Sequence, residues 1–403
     1  MRVLILNSDS PTNRGDRAIL SGLIEVVRMC WPEAQISALS QFAKRDRRWF
    51  GIPFLAQSPL SVSPFDYLRL LRRVRQADIV LWGGGEFLKD YTNRLGLVYW
   101  ALKMTGLRLA NRQIYGAFQG IGPTDASSSR RMVAFTVNRT SGFITRDVES
   151  ADKLREWGTR IPVTASFDPA VMAPVAAWSD ALSERVQEAL GVDSAFIDGA
   201  VGVGMRRWFH YRRGGWLPYR LRGSKEEPAD FRLYREQIVK LVDRICEDPA
   251  ARILFVPMHM AVSEGDDSFA REIVARMRNP ERARVLDSDV FSPAELSAII
   301  GRCRYMIATR LHSAILAACA RVPAIALYYV PKARLFYEQL NLTELSLPIE
   351  VMLDVQGTDE VWRRIERVQA DRDAIVATID RQMRDMTERI VADARRAWPN
   401  TSA

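Results

Sequence analysis

Cysteine and histidine are scarce in this 403-residue chain, with only four of the first and three of the second. Cys30, Cys246, Cys303 and Cys319 lie far apart and form no CxxC spacing. That argues against a disulfide framework or a zinc knuckle and suits a reducing, cytoplasmic setting. All four read as small buried hydrophobes. No run of about 18 uncharged apolar residues occurs, so no spanning helix is expected. The apolar stretch at residues 3–6 is too short for a secretory leader and reads as a first buried strand. There is no GxGxxG and no Walker phosphate loop, which removes the usual dinucleotide and nucleoside-triphosphate signatures. No His/Cys/Asp/Glu cluster has metal-ligand spacing, so no metal and no cofactor are expected.

What is present is a normal globular balance, 48% hydrophobic and 26% charged, with a net charge of +9. The length predicts two domains of about 150–200 residues each. Short apolar runs alternate with amphipathic stretches, the pattern of parallel sheets covered by helices on both faces. In the first half, strands are predicted at residues 3–6, 79–82, 114–118 and 143–145, with a helix over 16–29 that Asp16 would cap. In the second half, strands are expected near 200–203, 253–256, 285–286, 305–308 and 324–329. These predict an α/β protein of two Rossmann-like domains facing a cleft, 1–195 and 196–357. A helical segment, 358–403, would follow and return to the first domain. Ligands then belong at the C-terminal ends of the strands.

The sharpest local signal is Thr309-Arg310-Leu311-His312-Ser313, between an apolar strand and an Ala-rich helix. A helix N-terminus offers free N–H groups to an anion, Arg310 adds a fork-shaped charge, and His312 can move a proton near neutral pH. The competing reading pairs Arg310 with a buried carboxylate and buries His312 as a core residue. The turn at residues 8–16 carries Asn13 and Asp16, better suited to sugar hydroxyls than to a phosphate; a plain capped helix explains it equally well. Gly83-Gly84-Gly85 and Gly120-Ile121-Gly122-Pro123 allow close backbone approach or simply tight turns. Arg146-Asp147 closes another strand, where a local ion pair is the plain alternative, and His259 follows a strand facing the same cleft.

Residues 205–225 contain seven cations, five aromatics and no carboxylate. That mixture suits a membrane interface, stacked single-stranded nucleic acid, or a flap. We take the flap reading: Arg207, or Arg206 in its place, reaches the cleft, and residues 206–222 touch the inner face of a membrane. No nucleic-acid partner is expected.

Taken in order, these turns resemble the polysaccharide pyruvyl transferase family. The matching residues are Asn13-Arg14-Gly15-Asp16 with Ala18-Ile19-Leu20; Asp78-Ile79-Val80 with the glycine triplet; Gly120-Ile121-Gly122-Pro123; Arg146-Asp147 with Ser150 and Leu154; Asp168-Pro169; Val201-Gly202-Val203 with Arg207; Pro257-Met258; Arg310-Leu311-His312; and Val322-Pro323 with Tyr329 and Lys332. The resemblance implies a fold like two-domain GT-B glycosyltransferases and transfer of the pyruvyl group from phosphoenolpyruvate to a sugar, forming a ketal. It implies that the Arg310-Leu311-His312 segment takes part in donor binding and catalysis. The two charges of such a donor assign Arg207, with Arg206 as its substitute, as a second anchor beside Arg310, His312 as the acid/base and Asp16 as the group that positions or deprotonates an acceptor hydroxyl, and the acceptor cleft is expected near Asn13, Gly84, Gly85, Arg146, His259 and Lys332. The acceptor would be an oligosaccharide or a lipid-linked saccharide. Arg17 and His259 depart from the family pattern. A nucleotide-sugar glycosyltransferase on the same fold, or a non-catalytic carbohydrate- or lipid-binding protein, are the alternatives.

Overall fold

The computed structural model describes residues 1–7, 12–58, 60–90, 94–208, 229–260 and 265–399. Seven short apolar runs form the first sheet: β1 (Arg2–Leu6), β2 (Gln35–Ser40), β3 (Phe54–Ala56), β4 (Ile79–Gly83), β5 (Ile114–Gln119), β6 (Gly142–Thr145) and β7 (Val163–Ala165). All pairings are parallel, in the order β3-β2-β1-β4-β5-β6-β7. Connecting helices are α1 (Arg14–Cys30), α2 (Ala43–Phe50), α3 (Pro64–Gln76), α4 (Leu95–Ala110), α5 (Ser127–Val137) and α6 (Val148–Glu156). The strand order reverses direction between β1 and β4, the kind of switch point at which open α/β sheets bind ligands.

The second sheet repeats the logic. Its strands are β8 (Val201–Gly204), β9 (Ile253–Phe255), β10 (Ala283–Val285), β11 (Tyr305–Ala308), β12 (Ala324–Tyr328) and β13 (Ser346–Pro348), ordered β10-β9-β8-β11-β12-β13 and parallel throughout. Helix α7 (Asp180–Leu190) precedes it, and α8 (Ala229–Ile245), α9 (Asp266–Val274), α10 (Pro293–Ile300), α11 (Leu311–Cys319) and α12 (Pro331–Gln339) cover it. Here the switch falls between β8 and β11. Strands β4, β5, β8 and β11 are buried along their whole length, as sheets covered on both faces require.

Helices α13 (Gly357–Ala370) and α14 (Arg372–Ala397) end the chain. Trp398, just past α14, stacks on Trp31 at 5.2 Å and meets Phe118 edge-on at 5.9 Å, while Arg395 donates to the Met29 carbonyl at 2.9 Å. Helix α14 therefore lies against α1. The four cysteines are unlinked, and burial pushes the Cys303 and Cys319 thiols up to about 12.

The helix expected over 16–29 starts earlier. Asn13 is its cap, accepting from the Gly15 and Asp16 amides at 3.0 and 3.3 Å. Asp16 sits in the first turn, where its charge favours the positive end of the helix, rather than at the cap.

Candidate active site

Strand β11 delivers Thr309 to Leu311 into the cleft. The Thr309 amide and hydroxyl both donate to the Gly204 carbonyl, at 2.9 and 3.0 Å, which locks the ends of β11 and β8 together. Arg310 is the N-cap residue of α11. Its Nε and Nη2 grip Asp266 at 3.0 and 2.7 Å. Asp266, at the start of α9, has no exposed surface and also accepts from the His259 amide at 3.0 Å. Two of the three guanidinium nitrogens are thus spoken for by a buried carboxylate. Leu311 is the first residue of α11 and its side chain is buried.

His312 occupies the first turn of α11, and its Nε2 lies 3.5 Å from Asp168 Oδ2, at the outer limit of hydrogen-bond reach. Asp168 caps the 3₁₀ turn Pro169–Met172, accepting from the Ala170 amide at 3.0 Å, and meets Arg146 Nη1 at 3.3 Å. Burial alone would raise its pKa. His312, Arg146 and the Ala170 N–H outweigh burial and hold the carboxylate down at about 2. Asp168 is therefore an anion aimed at the imidazole throughout the physiological range.

Gly15 supports His312 from the other side. A Cβ built on Gly15 would stand 2.5 Å from the imidazole Nδ1, so only glycine leaves room for the ring. The turn carrying Gly15 also joins the domains. Asn13 and His259 form an antiparallel bridge, Arg14 N donates to the Met258 carbonyl, and Met260 N to that of Thr12, both at 2.9 Å. The buried Arg14 side chain donates to the carbonyls of Pro257 and Ser288, each at 2.8 Å. Desolvation lowers its pKa to about 10, against the pull of Asp289, Asp287 and Asp267, so it stays charged at neutral pH. Arg17 is buried against Asp46 at 2.7 Å.

The glycine triplet reaches the cleft as expected of a strand end. Gly84 and Gly85 have φ of 91° and 84°, a region other residues adopt at a cost. Glu86 follows, and Lys332, from the start of α12 in the second domain, pairs with it at 3.3 Å. Burial would raise Glu86, but Lys332, Lys89 and Arg146 bring it down to about 2. Arg146 is buried among Asp168, Glu86 and Asp147, at 3.3, 3.8 and 3.9 Å, and these anions raise its pKa despite desolvation. A cavity of about 50 Å³ bounded by Glu86, Arg146, Ser150, Lys153 and Lys332 opens between the domains here. Arg146 and Lys332 are thus brought together by Glu86, and Arg146 connects through Asp168 to His312.

Arg207 and Arg206 differ in their surroundings. Arg207 is exposed, 5.1 Å from the Phe231 ring, whereas Arg206 is buried with its guanidinium 4.2 Å over Tyr329. The Tyr234 hydroxyl donates to the Arg206 carbonyl at 3.1 Å, fixing this segment. Most of the 206–222 flap lies outside the described residues. Among those residues no helix is long and apolar enough to cross a membrane, and no group of three or more His, Cys, Asp or Glu is placed to hold a metal.

The family model for polysaccharide pyruvyl transferases matches residues 13–330. The chain belongs to the polysaccharide pyruvyl transferase family. A curated relative, the amylovoran biosynthesis protein AmsJ of Erwinia amylovora, is 22% identical over 443 aligned positions, covering 98% of this chain and 99% of the relative. Among solved structures, HepE of Anabaena with UDP-glucose superposes with a TM-score of 0.56 at 12% identity, over 98% of both chains. ADP-heptose heptosyltransferase II of E. coli gives 0.51 at 12% identity, over 92% of this chain and all of the other. At such identities these two speak for the fold, and the fold is GT-B-like.

Three residues of this pyruvyl transferase family member were not singled out from the sequence as site residues. Asp168 was visible only as half of an Asp-Pro pair. Glu86 directly follows the glycine triplet, a usable signal. Asp266 has no local signature, because its partner Arg310 is 44 positions away.

Proposed function

We propose that this transferase moves the pyruvyl group of phosphoenolpyruvate onto a sugar of a cell-surface or exopolysaccharide precursor on the cytoplasmic side of the membrane, forming a pyruvate ketal. The observation that carries the reading is the His312 imidazole, held between the Asp168 carboxylate and the backbone of Gly15 where the two domains meet. A proton must reach the methylene carbon of phosphoenolpyruvate before C2 becomes electrophilic. His312, in its protonated form, is the donor in this scheme, with Asp168 orienting the ring and stabilising its charge. A sugar hydroxyl then adds to C2, giving up its proton and regenerating the acid. A second hydroxyl of the same sugar displaces phosphate from C2, its proton leaving with the phosphate, and the ketal closes. Asp16, in the first turn of α1, is assigned in this reading to position the acceptor hydroxyl.

The donor brings a carboxylate and a phosphate, and this reading assigns a cation to each. Arg310 is held rigid by Asp266 and stands at the N-terminus of α11, where the amides of the first turn add further positive potential. Arg206 is the second cation in this reading, replacing the exposed Arg207. Asn13, Gly84, Gly85, Arg146, His259 and Lys332 are assigned to the acceptor side in this reading. Similarity to AmsJ in a polysaccharide biosynthesis role supports a saccharide acceptor. The test is incubation with phosphoenolpyruvate and an oligosaccharide or lipid-linked saccharide. Phosphate release together with an acceptor bearing a pyruvyl ketal supports the assignment; turnover that depends on a nucleotide sugar overturns it.

A further inference from the structure

The outer surface of α3 and α4 breaks the burial pattern of the rest of the molecule. On α3, Leu70 and Val74 face the core, while Phe65 and Leu68 project from the opposite side; Phe65 is 80% exposed. Val62, just before the helix, is 84% exposed. On α4, Leu97, Trp100, Met104 and Leu107 are buried, and Leu95, Leu102 and Leu109 recur every seventh position on the far side. A seven-residue spacing returns to nearly the same helix face. Leu102 and Leu109 are 71% and 85% exposed. Leucine is the residue a helix normally turns inward, so a run of three facing out is not explained by folding.

The two helices form one continuous surface. They pack so closely that a Cβ on Gly106 of α4 would come 1.8 Å from the Tyr67 hydroxyl of α3. Between them runs an open groove of about 260 Å³ lined by Val62, Tyr67, Tyr99, Leu102 and Lys103. Tyrosines at the edge of an apolar strip match the boundary between hydrocarbon and headgroups. The charges point the same way. Within α3 and α4, Arg69, Arg72, Arg73, Arg75, Lys103 and Arg108 face one carboxylate, Asp66. Arg69 and Arg72 lie on the same stripe as Phe65, four and seven positions along.

We propose that the α3–α4 face docks on an anionic lipid bilayer. Phe65, Leu68, Leu102 and Leu109 enter the interface, and the arginines of α3 meet the headgroups. A second copy of the chain fits worse, because self-pairing would press arginine stripes of like sign together.

The experiment is vesicle flotation of the full-length protein. We expect it to float with phosphatidylglycerol–phosphatidylcholine vesicles and to remain behind with phosphatidylcholine alone. Phe65→Ser/Leu102→Ser/Leu109→Ser and Arg69→Glu/Arg72→Glu should each weaken flotation by about tenfold or more. Circular dichroism and melting should stay unchanged, since the altered side chains are exposed. Failure of the wild type to float overturns the proposal. So does flotation that both variants retain, which would assign binding to another surface. A concentration-dependent dimer abolished by the serine variant, with no vesicle binding, would give the face to a second copy and overturn it equally.

Discussion

Gly15 and His312 come from different domains, yet a single methyl group on Gly15 would lie 2.5 Å from the imidazole Nδ1. Gly15 is in the first turn of α1, where alanine is intrinsically the better helix former by about 1 kcal/mol. Local helix preference and site geometry therefore pull in opposite directions. Gly15→Ala should lower thermal stability, because the methyl group forces the ring aside at a cost that outweighs the helix preference, and cut turnover by about tenfold or more through displacement of the ring. Parallel melting and kinetic measurements check both halves.

Removal of the imidazole separates binding from chemistry. His312→Ala should retain phosphoenolpyruvate binding by calorimetry while turnover falls by about 10² to 10⁴. Full activity in that variant would remove His312 from the reaction.

Arg310 needs a different design, because it serves two ends. Arg310→Ala strips the partner from Asp266, which has no solvent exposure, and should cost on the order of 3–5 kcal/mol of stability besides donor affinity. Arg310→Met/Asp266→Leu removes the pair together. It should recover most of the stability in denaturant titrations and none of the donor affinity.

Asp168 and Glu86 make the fold acid-sensitive. Both carboxylates titrate near 2 in the folded protein, below their ordinary values of 3.8 and 4.5. Their stabilisation is therefore complete above the ordinary range and is lost as pH falls towards 2. Asp168→Asn should flatten this acid limb of a stability–pH curve, at a cost on the order of 2 kcal/mol at neutral pH. It should also shift the pH profile of turnover, because His312 loses its orienting anion; a merely structural carboxylate would leave that profile unmoved.

The Arg14 clasp predicts a change in domain closure. Arg14→Met loses the bonds to Pro257 and Ser288 and strands a buried carbonyl and a partly buried one. We expect a stability loss of about 1–3 kcal/mol and a larger radius of gyration in solution scattering.

How much of this was legible from the sequence depends on the range of the determining interaction. Strands β1, β4, β5, β8 and β11 are continuous apolar runs, and the residues just after them could be placed at the cleft from local pattern alone. Strand β2, Gln-Ile-Ser-Ala-Leu-Ser, is half polar, and β3, β7 and β13 are three-residue edges, so apolar runs did not reveal them. The choice between Arg206 and Arg207 was not available either. Strand β8 is buried on both faces and carries no alternation from which the direction of the next side chain could be read. Asn13 and Asp16 both look like caps, and only the observed helix start separates them. The pairings Arg310–Asp266 and His312–Asp168 join distant segments, and nothing local in the sequence announces them.

The central claim is that His312, set by Asp168 and Gly15, protonates an enolpyruvyl donor for transfer to a sugar. The most direct measurement is phosphate release from phosphoenolpyruvate in the presence of a saccharide acceptor, followed by mass analysis of that acceptor, for the wild type and His312→Ala side by side. The account predicts acceptor-dependent phosphate release and a pyruvyl ketal with the wild type, and neither with the variant. Equal release from both proteins, or turnover only with a nucleotide sugar, would contradict it.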